Sequence, residues 1–258
     1  MKKIKNARNK LYWAIGIVFA VAFVTFLVIY LTRFEAGKDF IDDFFNWRVF
    51  TETMPYILGG FVLTLQLALV SEVCILIMGL TVSLIRISRI PVFRVLAAIY
   101  IDLIRGLPLI LQIFLVYFGL AHLGLKLSKF ISAVLALTIC YSAYEAEIFR
   151  AGIESIHKGQ MEAARSLGMG YFQAMRYVIL PQAIRNVIPP LSNEFVALVK
   201  DTSLVAFIGY AEVFRRGTEM MASKASMTPL IGVAICYLMI TIPMMRVVQY
   251  LDRRMSYD

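Results

Sequence analysis

The chain has 258 residues, of which 60% are hydrophobic and 17% charged, and its mean hydropathy is +0.76. A soluble domain would be nearer half apolar and a quarter charged; the excess here is gathered into runs of bilayer length, which excludes an ordinary water-soluble enzyme and makes lipid the solvent to reason about. The net charge of +9 does not point to nucleic acid, because the cations flank the apolar runs: Lys2, Lys3, Lys5, Arg8 and Lys10 before the first, Arg86, Arg89 and Arg94 between two others, Arg246, Arg253 and Arg254 after the last. That is the positive-inside pattern, which orients a membrane protein.

In chain order, residues 11–32 form the first predicted helix. Its apolar run is longer than a signal-peptide core and lacks a small-residue cleavage site, so it reads as retained. The acidic, aromatic segment that follows is expected outside as a loop, with Phe44, Phe45 and Trp47 suited to the membrane interface. Further spans are predicted at residues 57–85, 91–121, 129–151, somewhere within 183–210, and 225–245. The fifth is the weakest, because Asn193, Glu194, Lys200 and Asp201 cross it. The expectation is an all-α polytopic protein with about six transmembrane helices and both termini cytoplasmic. Cys74, Cys140 and Cys236 fall inside apolar runs and read as buried packing. His122 and His157 belong to loops on opposite sides, so neither a metal site nor a cofactor is expected.

One segment breaks the pattern. Residues 160–183, QMEAARSLGMGYFQAMRYVILPQA, are charged and amphipathic between two membrane runs. Met161, Ala164, Leu167, Tyr171, Met175 and Val178 recur at helical spacing, interrupted by Gly168 and Gly170. The spacing predicts a short cytoplasmic helix, a glycine elbow, and a second helix that Pro181 ends or kinks. An interfacial helix on lipid is the plain alternative. The mixed face of Glu162, Arg165 and Gln173, with small residues at Ala163 and Ala164, suits a protein groove better.

The residues Glu162, Ala163, Ala164 and Gly168, followed by Leu180 and Pro181, resemble the EAA loop of ABC-importer membrane subunits; Val178 stands where that pattern usually carries Ile. The runs YIDLIRGLPLILQIFLVYFGL, YSAYEAEIFRAGIESIHKGQ and IPPLSNEFVALVKDTSLV are similar to the polar amino-acid branch that carries histidine, glutamine, arginine and cystine. The resemblance spans roughly residues 54–254. It implies a type I permease core of five helices with an extra N-terminal helix, so that residues 1–53 are an extension and 54–258 the permease, with a coupling loop at about 157–183. It further implies a bacterial inner-membrane location, separate ABC ATPase subunits, an extracellular or periplasmic binding protein and a second permease subunit. Consistent with an ATPase elsewhere, no GxxxxGK[ST] loop is present. No catalytic cluster suggests an enzyme; an ATP-independent carrier or channel is the alternative.

Ionisable residues within spans cost about 2.5–3.5 kcal/mol each on insertion scales and call for a partner or a function. Those here are Glu72, Asp102, Arg105, Glu145, Glu147, Glu194, Lys200 and Asp201. Asp102 and Arg105, three apart, read as a local ion pair. For the ammonium of an amino-acid substrate the expected acceptors are Glu147 and Asp201, supported by Asn193 and Thr202 near a helix break.

Overall fold

A computed structural model describes residues 2–256; the side chains of residues 2–11, 14, 15, 27, 28, 31 and 256 lie outside what is described, and with them those of the N-terminal basic cluster. All regular structure among the described residues is helical. The elements are α1 (Lys2–Arg33), α2 (Glu35–Phe44), α3 (Trp47–Arg86), α4 (Pro91–Arg105), α5 (Leu109–Phe114), α6 (Leu120–His122), α7 (Lys129–Glu154), α8 (Lys158–Ser166), α9 (Tyr171–Ala174), α10 (Leu180–Asp201), α11 (Val213–Lys224) and α12 (Thr228–Ser256). The ranges Glu35–Arg86, Lys129–Glu154 and Thr228–Met255 are long and apolar enough to cross a bilayer, and the bent pair Pro91–Arg105 and Leu109–His122 makes a fourth if counted as one span. The two remaining predicted crossings fall on α1 and α10.

The seam between α3 and α7 is the most extensive helix pairing. Along α3 the buried positions include Gly60, Thr64, Ala68, Ser71, Gly79 and Ser83, a stripe of small residues at intervals of three, four and eight. α7 answers with Ser132, Ala133, Ala136, Ser142, Ala143 and Ala146. Small side chains let helix backbones approach in a membrane, where dispersion rather than water exclusion drives association. At Gly79 the approach is close enough that a Cβ would stand 3.0 Å from the Glu145 Cβ. The main buried cluster, Leu67, Ile75, Ile113, Leu137, Tyr141, Leu198 and Val205 among others, fills the space between α3, α5, α7 and α10.

Four expectations are corrected. The acidic segment after α1 is not a loop: it forms α2 and the first turns of α3, which begins ten residues before the predicted start because Asn46 caps it, accepting from the Val49 N–H at 3.1 Å. The single helix predicted over 91–121 breaks at Gly106–Pro108 and turns by 104°. Pro108 cannot continue α4, and the Gln112 amide donates to the freed carbonyls of Ile104 at 2.9 Å and Leu107 at 3.0 Å. The polar helix α11 lies in a stretch read as connection. Arg105 does not pair with Asp102; its guanidinium lies 5.2 Å from the centroid of the Tyr144 ring. Cys140 and Cys236 are buried and Cys74 half-buried, all as free thiols.

At the end of the bundle opposite α8, α11 is locked by Glu212. This carboxylate has no exposed surface and accepts from the N–H groups of Phe214 at 2.8 Å and Arg215 at 2.7 Å and from the Tyr237 hydroxyl of α12 at 2.7 Å. Thr64 of α3 accepts from the Val213 N–H at 3.2 Å, and a Cβ at Gly60 would stand 2.7 Å from that same nitrogen. On the surface of α11, the Tyr56 hydroxyl and then Arg215 hold the Glu219 carboxyl below its ordinary range. Close by, the Asp43 carbonyl accepts from Thr228 at 2.7 Å and Ser226 at 2.8 Å, tying α2 to the α11–α12 turn. Glu212→Ala leaves two N–H groups and a hydroxyl without their acceptor and is expected to lower stability by about 3 kcal/mol. Thermal unfolding of the detergent-solubilised chain checks this, and an unchanged midpoint would refute it.

Candidate functional site

Two sets of residues carry chemistry, and they sit at different levels of the bundle. The first is the loop between α7 and α10. His157 caps α8, its Nδ1 accepting from the Gly159 N–H at 3.1 Å. The helix ends in a Schellman turn: the Gly168 N–H reaches the Arg165 carbonyl at 3.0 Å, the Met169 N–H reaches that of Ala164 at 3.2 Å, and Gly168 has φ +85°. A side chain at Gly168 would be strained there although nothing lies within 4 Å of a built Cβ.

Ala164 is buried against the following segment while Glu162 and Ala163 face outward. Leu167 and Phe172 flank the elbow at 81% and 85% exposure, an apolar pair with no neighbour to cover it within the described chain. Pro181 does not end the second piece. A π-helical turn at Met175–Ile179 shifts the hydrogen-bond register just before it, so Leu180 and Pro181 form the first turn of α10, where proline is tolerated. From Tyr171 to Asp201 the chain is one helical rod, and α8 packs on its π turn.

The second set lies inside the bundle, where α10 gives way to a 3₁₀ turn at Thr202–Ile208 that ends on Gly209 in the left-handed region, φ +78°. Asp201 accepts from the Tyr141 hydroxyl of α7 at 2.7 Å. Thr202 is fully buried and donates to the Val199 carbonyl at 2.7 Å. Asn193 is exposed and donates to the Pro189 carbonyl of its own helix at 3.2 Å. Glu147 is six residues further along α7 than Tyr141, about 9 Å of helical rise, and is engaged by Arg150, which also bonds Glu154 at 2.6 Å.

Of the four path candidates, Asp201 and Thr202 therefore share a neighbourhood, while Glu147 and Asn193 are held elsewhere. Tyr141 was missed from the sequence because a tyrosine in an apolar run carries no signal of its partner. Glu145 is completely buried, and neither of its carboxylate oxygens has a hydrogen-bond partner among the described residues; Glu72 of α3 also has one such oxygen. Glu72 and Glu194 are the charged groups nearest in effect to Glu145. Three helices thus bring carboxylates toward one region that no single stretch of sequence displays.

Comparison with known proteins places the chain in a family. A family model described as "Binding-protein-dependent transport system inner membrane component" matches residues 75–257. A probable glutamine ABC transporter permease protein of Bacillus subtilis is 39% identical over 82% of this chain and 98% of its own length. The arginine transport system permease protein of the same organism is 38% identical over 79% of this chain and 94% of its own. The glutamine transport system permease protein of Escherichia coli is 36% identical over 82% of this chain and 98% of its own. A crystal structure of an amino acid ABC transporter with histidines superimposes with a TM-score of 0.75 at 38% identity, covering 79% of this chain and 96% of that one. An inward-facing methionine ABC transporter matches in fold alone, with a TM-score of 0.67 at 19% identity. The chain belongs to the family of binding-protein-dependent transport system inner membrane components, the permease subunits of ABC importers.

Proposed function

We propose that this chain imports polar amino acids, receiving substrate from an external binding protein. It acts beside a second permease subunit and is driven by ATP hydrolysed on separate ATPase chains. In this reading residues 54–258 are the working permease of a bacterial inner membrane, residues 1–53 are an added anchor, and both termini are cytoplasmic. The observation that carries it is the α8 loop. An amphipathic helix closed by a left-handed glycine, with Leu167 and Phe172 uncovered beside Ala163, is a surface made to sit in a groove of another protein. Its attachment to the rod that ends at Asp201 gives a mechanical route from that groove to the membrane interior. The relatives named for glutamine and arginine support the substrate class. An ATP-independent carrier has no use for such a surface.

Along the path, Asp201 with Tyr141 and Thr202, together with the buried Glu145, are the proposed contacts for the substrate ammonium; Glu147 and Asn193 are proposed to act nearer the α8 end. Labelled arginine uptake, with and without the gene and competed by each other amino acid, tests the class. Competition by lysine or histidine alone indicates a cationic substrate, and competition by glutamine a zwitterionic one. Loss of no amino acid's uptake on deletion, or uptake that persists without ATP, refutes the reading.

Two variants test the parts. Gly168→Asp is expected to insert normally and to reduce uptake to near background, and normal uptake would remove α8 from the coupling role. Asp201→Asn is expected to lower the initial uptake rate about tenfold, the equivalent of roughly 1.4 kcal/mol for a lost charge-assisted contact. Measured against protein level in the membrane, an unchanged rate would take Asp201 off the path.

A further inference from the structure

The crevice between α10 and α12 widens into two cavities that follow one another along the helices. The first, of about 300 Å³, is lined by Phe195 of α10 and by Met244, Val247, Val248 and Leu251 of α12. Its wall also carries Ser192, whose hydroxyl donates to the Ile188 carbonyl of its own helix at 2.8 Å, so that proton is spent inside α10. The α12 side belongs to the range Thr228–Met255, which is long and apolar enough to cross a bilayer, and Val247 stands exposed at the rim. The second cavity, of about 550 Å³, lies about one turn nearer the α8 end and is lined by Asn186, Pro189 and Pro190 of α10 and Met255 of α12. Arg185 and Asp252 on its wall are each already engaged within the chain, so the charge that would hold a ligand has to come from elsewhere.

It comes from the end of α12. Arg246, Arg253 and Arg254 are exposed, and none of them makes an ion pair or a hydrogen bond among the described residues. Arg254 follows Val247 by seven positions and Leu251 by three, the spacing of one helix face, so it stands about 10 Å of helical rise beyond the rim of the apolar cavity. Tyr250, exposed between Val247 and Arg254, is the kind of side chain that settles at a headgroup boundary. Cations at a helix C-terminus also complement its dipole, a role that leaves their N–H donors in place. An apolar slot in the spanning part of a crevice, with guanidiniums two turns beyond it, matches a molecule with a long apolar tail and an anionic phosphate. A soluble anion would leave the slot empty, and a neutral tail would leave the cations unused. Basic pockets between transmembrane helices are where anionic headgroups settle. We propose that the α10–α12 crevice holds one anionic phospholipid of the phosphatidylglycerol type. Part of an acyl chain fills the apolar cavity and the phosphate lies against Arg254, while Arg246 and Arg253 favour the negative charge. The site is separate from the Asp201 neighbourhood and from the α8 surface, and it does not depend on which solute the chain carries.

The test is photolabelling of the complete transport complex in phosphatidylcholine nanodiscs that hold a trace of phosphatidylglycerol with a diazirine in one acyl chain. Labelled peptides are read by mass spectrometry, and phosphatidylcholine carrying the same diazirine is the neutral control. Arg254→Gln removes one charge from an exposed position, and Ser192→Phe fills the apolar cavity without touching a cation. Expected is labelling concentrated in residues 192–195 and 243–251, several-fold stronger with phosphatidylglycerol than with the control and competed by unlabelled phosphatidylglycerol. Arg254→Gln is expected to lower it about fivefold, and Ser192→Phe to abolish it. Equal labelling by the two probes gives the crevice to ordinary boundary lipid and overturns the proposal, as does labelling unchanged in both variants. Labelling seen in the isolated chain but lost in the complete complex assigns the crevice to the second permease subunit and also overturns it. Equal competition by glycerol phosphate, which has no tails, overturns it as well, leaving a site for free phosphate.

Discussion

Glu212 is the point on which the far end of this bundle depends. A carboxylate removed entirely from solvent is expensive unless its acceptors are used. Here they are used by three donors that belong to α11 and α12, with Thr64 of α3 completing the set from the other side. Because the N-terminus of α11 carries the positive end of its dipole, the carboxylate and the helix start stabilise each other. α11 is thereby seated across α3 at Gly60, where only a glycine admits the backbone of residues 212 and 213. The turn into α12 follows from that placement, and α2 is fastened to the same turn through Asp43.

From this fixed end the chain runs back toward α8 in a way that joins the two candidate sites. The helical rod from Tyr171 to Asp201 carries the loop contact at its start and the Tyr141-bound carboxylate at its finish. A rod of that length, about 45 Å at 1.5 Å per residue, transmits a tilt or a shift more readily than a chain of loops. Its irregularities are informative: a π turn where α8 packs, then Pro189 and Pro190 where the cavity lies. Departures from regular helix inside a membrane persist only where neighbouring groups take up the freed backbone atoms or a cavity receives them.

Much of this was legible before any coordinates. The apolar runs, the cation clusters between them and the EAA pattern specify a polytopic helical permease, because hydropathy and motif register are local properties. Gly168 was legible for the same reason, since a glycine at the end of a short amphipathic helix is a helix stop. The elements that escaped are those whose cause lies at a distance. α11 has only a short apolar stripe, Val213, Phe214, Met220 and Met221, and starts at a glutamate, outside the usual capping residues; its partners are on α3 and α12. The break at Gly106–Pro108 was visible as two breakers but concealed by hydropathy that stays high through it, and Gln112 explains why the break is tolerated.

The sequence by itself determined the solvent, the all-helical class, the family and the place of the α8 loop, since each is written in residues close together along the chain. Only the tertiary structure decided which buried polar groups belong together: Asp201 with Tyr141, Arg105 over Tyr144 instead of beside Asp102, and Glu145 against Gly79 with no hydrogen-bond partner among the described residues. In hydrocarbon a polar side chain is defined by the partner it finds, and those partners stand on other helices, brought near by the packing of small residues that composition alone does not place.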